Sequence, residues 1–388
     1  MIFNQYKDGS CDIVFSEEEK KIITEKGKIY LSPESLRHFG NNLVKIVAEW
    51  NKNFNEELAK TPSNDESKIE GIDREINHNY FMKILSINIS HHPSICIYEN
   101  GEVKNFYNEE RFVGVKDYDL VPAPKIYQSI LQKINFKPDF VCYASYGSNN
   151  GYFLEDDRLI IKNLQNQLGD PPYYFNVREH HLYHAICSFY FSNFDEAVAI
   201  VVDGGGASHF YIPFQEIESV YYINKKNINP IYKHHTRWKS NMEIGDKENS
   251  MVRLKFMGGF LNKFSDFSSG GIEFDKACAS LGYGNGHSAG KVMGLSSYAY
   301  CEKKYDLDYS KVEIAKKAQE KTFKETCELI DQAKHLNNNI LLSGGYFLNC
   351  SNNFKYVEKY PDLNFFVDPI PHDAGTAIGV ALYYDIYK

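Results

Sequence analysis

One pattern, written twice, constrains this chain more than anything else in it. An apolar strand is predicted from Ile84 to Ser90, followed by a strand from Ser94 to Glu99, the turn Asn100-Gly101, and a third strand from Val103 to Asn108. Asn-Gly between alternating apolar runs is a strong hairpin signal, because both central residues of the turn need positive φ. The opening recurs at Ala197: a strand to Val202, the turn Asp203-Gly204-Gly205-Gly206, then strands Ser208–Pro213 and Ser219–Asn224. Two halves that begin alike predict two similar lobes. The length of 388 residues agrees, since single cores stop growing beyond roughly 250 to 300 residues.

Helical spacing of apolar residues separates these strands. It predicts helices over Pro124–Ile134, Arg178–Phe191, Lys276–Leu281, Ser310–Leu336, Asn349–Tyr356 and Ala374–Tyr387, with strands at Asp139–Ala144, Ile340–Leu342 and Asn364–Val367. Strands alternating with helices make the class α/β. A duplicated α/β plan of this kind is the layout of the actin-like (ASKHA, RNase H-like) bilobal fold, with a ligand cleft between the lobes. The expected lobes are 81–195 and 196–388. Residues 1–80 read differently: Ser16 and Glu19 suit a capping box, Leu36–Phe54 has helical apolar spacing, and Lys60–Asn79 is a polar linker. An N-terminal helical extension is expected there.

Composition excludes some partners. A net charge of −8 gives no footprint for coating nucleic acid non-specifically, although a local basic groove is compatible with it. No run of 18 apolar residues occurs and the opening MIFNQYKDGS lacks a signal-peptide pattern, so a cytoplasmic chain with no membrane partner is expected. The eight cysteines are scattered without a CxxC pair and read as reduced, small buried hydrophobes, Cys350 in its Gly-rich stretch being the exception to watch.

Three constellations carry chemistry. In His180-His181-Leu182-Tyr183-His184 the first and last histidines share a helix face and can offer two imidazoles to one metal, while His181 points elsewhere. Alone, such a pair is commonly a surface accident. Asp203, at the end of an apolar strand before three glycines, and Asp373, at the start of the last helix, are expected to face the same cleft; for Asp373 the competing reading is a helix N-cap. Glycines supply the second constellation: Gly204 and Gly205, the stretch Gly282–Gly294 with Gly290 and Lys291, and Leu342–Cys350 with Gly344, Gly345 and Asn349. Each can turn backbone N–H groups toward phosphate, with Lys291 adding charge, although none matches the P-loop pattern. The third is the hairpin His91-His92, where one imidazole can take a proton from an attacking hydroxyl, together with Arg111 and Lys116 as donor contacts.

Taken in order, NISHHPS, NEERF with its downstream lysine, EHHLYHA, VVDGGG, GKVMGLSSY, LSGGYFLNC and DAGTAIG resemble the O-carbamoyltransferases of nodulation-factor, cephamycin and tobramycin biosynthesis, from about Ile84 to the C-terminus. The resemblance implies that His180, His184, Asp203 and Asp373 hold a divalent metal, Fe2+ ahead of Zn2+ or Mn2+. It implies that His92 is the family's N-terminal histidine, and that Lys291 with Gly344-Gly345 contact nucleotide. It implies transfer of a carbamoyl group from carbamoyl phosphate, through a carbamoyl adenylate made with ATP, to a hydroxyl. The acceptor is then a sugar- or antibiotic-type small molecule, or the hydroxymethyl group of a modified pyrimidine (5-hydroxymethylcytosine type) in phage nucleic acid. Members normally continue into a YrdC-like domain that makes the adenylate, whereas this chain ends at Lys388. A separate YrdC-like protein, more direct use of carbamoyl phosphate, or a sequence that is a piece of a longer protein is therefore expected. An actin-like kinase or ATPase and a nucleotide-binding regulatory subunit are the rival readings.

Overall fold

The computed structural model describes residues 2–5, 11–14, 82–89, 91–114, 136–145, 152–207, 214–237, 252–257, 260–265, 270–284, 286–301 and 307–388. At the start, β1 (Ile2–Gln5) and β2 (Cys11–Val14) pair antiparallel, so the segment read as a helical extension opens with a hairpin. The capping box at Ser16, the Leu36–Phe54 helix, the 60–79 linker and the Pro124–Ile134 helix lie outside the described residues.

The first lobe is built on β3 (Lys83–Asn88), β4 (Ser94–Glu99), β5 (Glu102–Asn108), β6 (Phe140–Ala144) and β7 (Tyr173–Phe175), in the order β5-β4-β3-β6-β7. β3 pairs antiparallel with β4 and parallel with β6, and β6 runs parallel to β7. Two helices follow β6: α1 (Tyr152–Leu168), which the sequence reading missed, and α2 (His180–Ser192). The second sheet repeats the plan with β8 (Glu196–Val202), β9 (Phe214–Asn224), β10 (Ile228–Arg237), β13 (Asn339–Ser343) and β14 (Asn364–Val367), ordered β10-β9-β8-β13-β14. β11 (Val252–Met257) and β12 (Phe260–Ser265) extend it beyond β10. The shared order, third-second-first-fourth-fifth, is the duplicated actin-like plan. Within the second copy the expected strand 208–213 lies outside the described residues, while residues 214–224 form one strand that contains the expected 219–224, and Asn224–Asn227 turns it into β10. β9 begins earlier than the expected 219–224 strand because Gln215 and Glu216, polar in sequence, are buried strand residues, Glu216 paired with Lys233.

Further helices are α3 (Gly270–Ser280), α4 (Ala289–Ser297), α5 (Tyr309–Ala333), α6 (Cys350–Lys359) and α7 (Thr376–Leu382). One core packs Leu85, Ile87 and Val141 against Ile161 and Leu164 of α1, and another packs Val198, Ile200 and Val202 beside Ala315 and Ile330 of α5. Between the two sheets lies the core that matters for function. There α2 and α7 are buried against Ile84, Cys96 and Tyr98 of one lobe and Ala199, Val201 and Tyr221 of the other. An apolar run buried on every side explains why α2 shows little amphipathic alternation: His180 to Phe189 are all buried. α2 and α7 touch closely at Gly379, where an added Cβ would lie 2.0 Å from the Tyr183 carbonyl oxygen.

Candidate metal centre

The lobes meet where four side chains converge. A single turn of 3-10 helix, Val177–Glu179, leads into α2; Asn176 caps it by accepting from the Arg178 N–H. That entry sets His180 and His184 one turn apart on the same face, their Nε2 atoms 3.2 Å from each other. Asp203 follows directly on β8, and Asp373 begins the short turn that becomes α7. His180 Nε2 lies 3.5 Å from Asp203 Oδ2 and 3.6 Å from Asp373 Oδ1, and His184 Nε2 lies 3.5 Å from Asp373 Oδ1. All four residues are buried and their ligand atoms fall within 4.8 Å of one another. Bonds of about 2.0 to 2.2 Å to one ion would set neighbouring ligand atoms about 3.4 Å apart in tetrahedral geometry. The nitrogen and oxygen donors present fit a divalent cation in both type and spacing.

Charge tells the same story. Burial alone would push His180 down, yet the Asp373 charge and hydrogen bonds to Asp203 and Asp373 outweigh it and raise the imidazole to about 10. Burial and the Asp373 charge push Asp203 up, but His180 and His184 hold it below the usual carboxylate range. Asp373, also opposed by burial, is held well below that range by His180 and His184. Two buried carboxylates thus draw a proton onto His180, where a cation would otherwise neutralise them.

The competing N-cap reading of Asp373 is settled by its neighbour. His372 caps the turn, its Nδ1 accepting from the Ala374 N–H, which leaves the Asp373 carboxylate for the histidines. Strands of the first lobe hold this loop. Ser94 Oγ donates to the Ala374 carbonyl (2.8 Å) and Ser86 Oγ to that of Ala377 (2.5 Å). The Asn88 side-chain amide donates to the carbonyls of His91 (2.8 Å), His92 (3.1 Å) and Asp373 (3.2 Å), tying the histidine hairpin to the centre. His92 takes a left-handed φ of 51°, a conformation that costs an L-residue roughly 1 to 2 kcal/mol. Its ring packs against His372, centroids 4.6 Å apart, while His91 lies 3.9 Å away on the other side. Burial first, then His92, lowers His372 to about 4.

Other expected site residues divide. Gly204, Gly205, Gly344 and Gly345 all gather around Asp203. Gly345 donates its N–H to Asp203 Oδ1 (3.0 Å), so that donor orients the Asp203 carboxylate. Gly344 has φ 95°, and a Cβ there would lie 2.3 Å from the Val202 carbonyl oxygen, so only glycine fits. Asn349 is engaged elsewhere: it caps α6 by accepting from the Asn352 N–H and exchanges hydrogen bonds with Gln319. Gly290 and Lys291 lie within α4 instead of a loop, both exposed, with the Lys291 ammonium 5.9 Å from the Tyr283 ring centre. Arg111 is exposed and pairs with Glu110. Lys116 lies outside the described residues.

Sequence reasoning set His181 aside, and it is fully buried beside the centre. Its Nδ1 is 2.9 Å from Ser219 Oγ, and burial, the largest influence, lowers it to about 4. No spacing rule could find this contact, because Ser219 comes from the other lobe. His372 was missed for want of any periodic signal, its role being backbone capping and ring packing.

Residues 142–382, more than half of the chain, match the family described as carbamoyltransferase N-terminus. The chain is 29% identical over 319 residues to an uncharacterised protein of Methanocaldococcus jannaschii, covering 77% of this chain and 56% of that one. It is 26% identical over 251 residues to an uncharacterised protein of Synechocystis, covering 58% and 39%. It thus spans little more than half of one relative and less than half of the other. Among solved structures it is similar to full-length HypF in a phosphate- and nucleotide-bound form (14% identity, TM-score 0.47, 79% of this chain and 56% of HypF). It is also similar to a ROK hexokinase from Thermus thermophilus (9% identity, TM-score 0.41, 78% and 98%). The family match starts on β6, ends with α7 and takes in both helices that pack between the sheets, and on that match the chain belongs to the carbamoyltransferase family.

Proposed function

We propose that this chain moves a carbamoyl group to an acceptor hydroxyl, using the His180, His184, Asp203 and Asp373 centre to hold the donor. The observation that carries this reading is the placement of four buried side chains able to hold a cation inside the matched carbamoyltransferase stretch. Carbamoyl phosphate is the proposed source, activated with ATP as carbamoyl adenylate. Among metals that nitrogen and oxygen ligands accept, Fe2+ is favoured over Zn2+ and Mn2+. A bound cation would supply Lewis-acid stabilisation for the phosphate oxygens of the leaving group.

The chain's own residues handle the proton. A hydroxyl is a weak nucleophile at neutral pH, and a positioned base contributes about 10² to 10⁴-fold. His92, tied through Asn88 to the Asp373 carbonyl, is the proposed base. Its Nδ1 is shielded from solvent, so Nε2 is the nitrogen to receive the proton. The acceptor oxygen bonds to the carbamoyl carbon, that carbon's bond to the phosphate oxygen breaks, and the phosphate or adenylate leaves. Sugars and antibiotics, and hydroxymethylated pyrimidines in nucleic acid, are the two acceptor classes proposed.

Incubation with labelled carbamoyl phosphate, with and without ATP and a YrdC-like protein, against sugars, nucleosides and hydroxymethylated DNA tests this reading. The expected result is a mass gain of one carbamoyl group on one acceptor class. His92→Ala should lower that transfer on the order of 10²-fold or more while donor binding persists. Acceptor-dependent ADP release with no carbamoyl gain would point to a kinase instead.

A further inference from the structure

His372 caps the last turn, and that duty fixes the chemistry of its ring as well as the backbone. The Ala374 N–H can only donate, so His372 Nδ1, 3.3 Å away, must present a lone pair to it. The single ring proton of a neutral imidazole is then on Nε2. The turn holds this arrangement from both sides. His372 is extended (φ −81°, ψ 173°), as suits a helix N-cap. The Gly375 N–H donates to its carbonyl (2.9 Å), and Ser94 Oγ of the first lobe donates to the Ala374 carbonyl (2.8 Å).

The Nε2–H so fixed meets no acceptor among the described residues. Unlike the fully buried His180, His181 and His184, His372 is only half-buried, so a ligand can reach it. Two neighbours place the donor. Its ring lies against that of His92, centroids 4.6 Å apart and planes tilted by 44°. The next residue is Asp373, whose Oδ1 lies 3.5 Å from His184 Nε2 and 3.6 Å from His180 Nε2. The ring therefore stands between the proposed base and the metal centre. In carbamoyl transfer that interval belongs to the reacting carbonyl. Its carbon is bonded on one side to the phosphate oxygen held at the centre, and meets on the other the hydroxyl whose proton goes to His92. As the acceptor oxygen bonds to that carbon, the C=O electron pair moves onto the carbonyl oxygen; it returns as the bond to the phosphate oxygen breaks. An N–H aimed at that oxygen stabilises the charge while it exists, and a neutral imidazole can supply it without giving up its proton.

We propose that His372 is a further catalytic residue, whose Nε2–H donates to the carbamoyl oxygen as negative charge develops there. This inference rests on the carbamoyl-transfer reading.

Two substitutions separate the donor from the other duties of this side chain. His372→Ser keeps a hydroxyl oxygen for the Ala374 N–H but removes the ring, whereas His372→Phe keeps a ring against His92 but removes the cap; both lack the Nε2–H. The test is single-turnover transfer on the full metal-loaded chain, from carbamoyl adenylate formed in place from carbamoyl phosphate and ATP by an excess of a YrdC-like protein, to the acceptor that wild type uses. Both variants should transfer about 10²- to 10³-fold more slowly at saturating donor. The donor concentration at half-saturation and the metal affinity should stay as in wild type. Nitrogen NMR of isotope-labelled histidines in the metal-free chain should show a ring protonated at Nε2 alone, whose signals vanish in His372→Ser. Wild-type rates in folded His372→Ser would reduce the residue to a cap, and wild-type rates in folded His372→Phe would reduce it to packing for His92; either overturns the proposal. So does a ring protonated at Nδ1, or a rate loss matched by an equal loss of metal affinity. Should one variant fail to fold, the other and the NMR decide. If wild type itself transfers no carbamoyl group to any acceptor, the carbamoyl-transfer reading falls, and this role with it.

Discussion

His372 and Asp373 are adjacent, and either could have capped the last helix; the structure gives the backbone to the imidazole and frees the carboxylate for His180 and His184. The i,i+4 histidine pair was legible in sequence because helical geometry fixes which residues share a face. Asp203 was legible because a strand end followed by glycines exposes a side chain to a cleft. Asn349 stands in a Gly-rich neighbourhood that suggests phosphate, and in this structure its amide meets Gln319 and caps α6. At this scale the raised His180 gives a pH prediction. Its folded value of about 10 exceeds the ordinary 6.5, so the proton's stabilising effect is fully present below about 6.5 and is lost as pH rises toward about 10. Metal-free protein should therefore lose thermal stability over that window. A cation takes the proton's place, so metal affinity should rise with pH and binding should release protons, measurable by calorimetry in two buffers of different ionisation enthalpy. Proton-neutral binding at neutral pH would contradict the assignment.

At the scale of elements, the centre depends on α2 and α7 lying against each other between the sheets. Gly379 permits this, since any side chain there meets the Tyr183 carbonyl. Gly379→Ala should destabilise the fold by about 1 to 3 kcal/mol. It should also weaken metal binding, because the same shift parts His184 from Asp373; denaturant melts and metal titration of one variant check both. Loss of stability with unchanged metal affinity would show that the helices are not rigidly coupled. Long periodic elements such as α5 were readable from sequence within a few residues. The start of β9 was not, because it carries Gln215, Glu216 and Glu218, buried polar residues, of which Glu216 meets His181 of α2 and Glu218 meets His234 of β10. Pattern rules price such residues as turn or surface, and only tertiary pairing makes them core.

For the whole molecule, duplication does the work. Each lobe supplies one antiparallel hairpin and two parallel strands in the same order, and the four converging side chains come from both copies: Asp203 from the second sheet, His180 and His184 from the helix that leaves the first. The last helix then returns Asp373 to the first lobe, where Ser86, Asn88 and Ser94 hold its backbone. Among the described residues no helix is long and apolar enough to cross a membrane. The measurement that bears most directly on this account is equilibrium titration of Fe2+, Zn2+ and Mn2+ into the metal-stripped full chain and into a folded Asp203→Asn/Asp373→Asn double variant. The account predicts one tightly held ion per wild-type chain and an affinity at least about 100-fold weaker in the variant, beyond the 10- to 100-fold typical of residues that only support metal ligands. Wild-type-like binding in the double variant would contradict it.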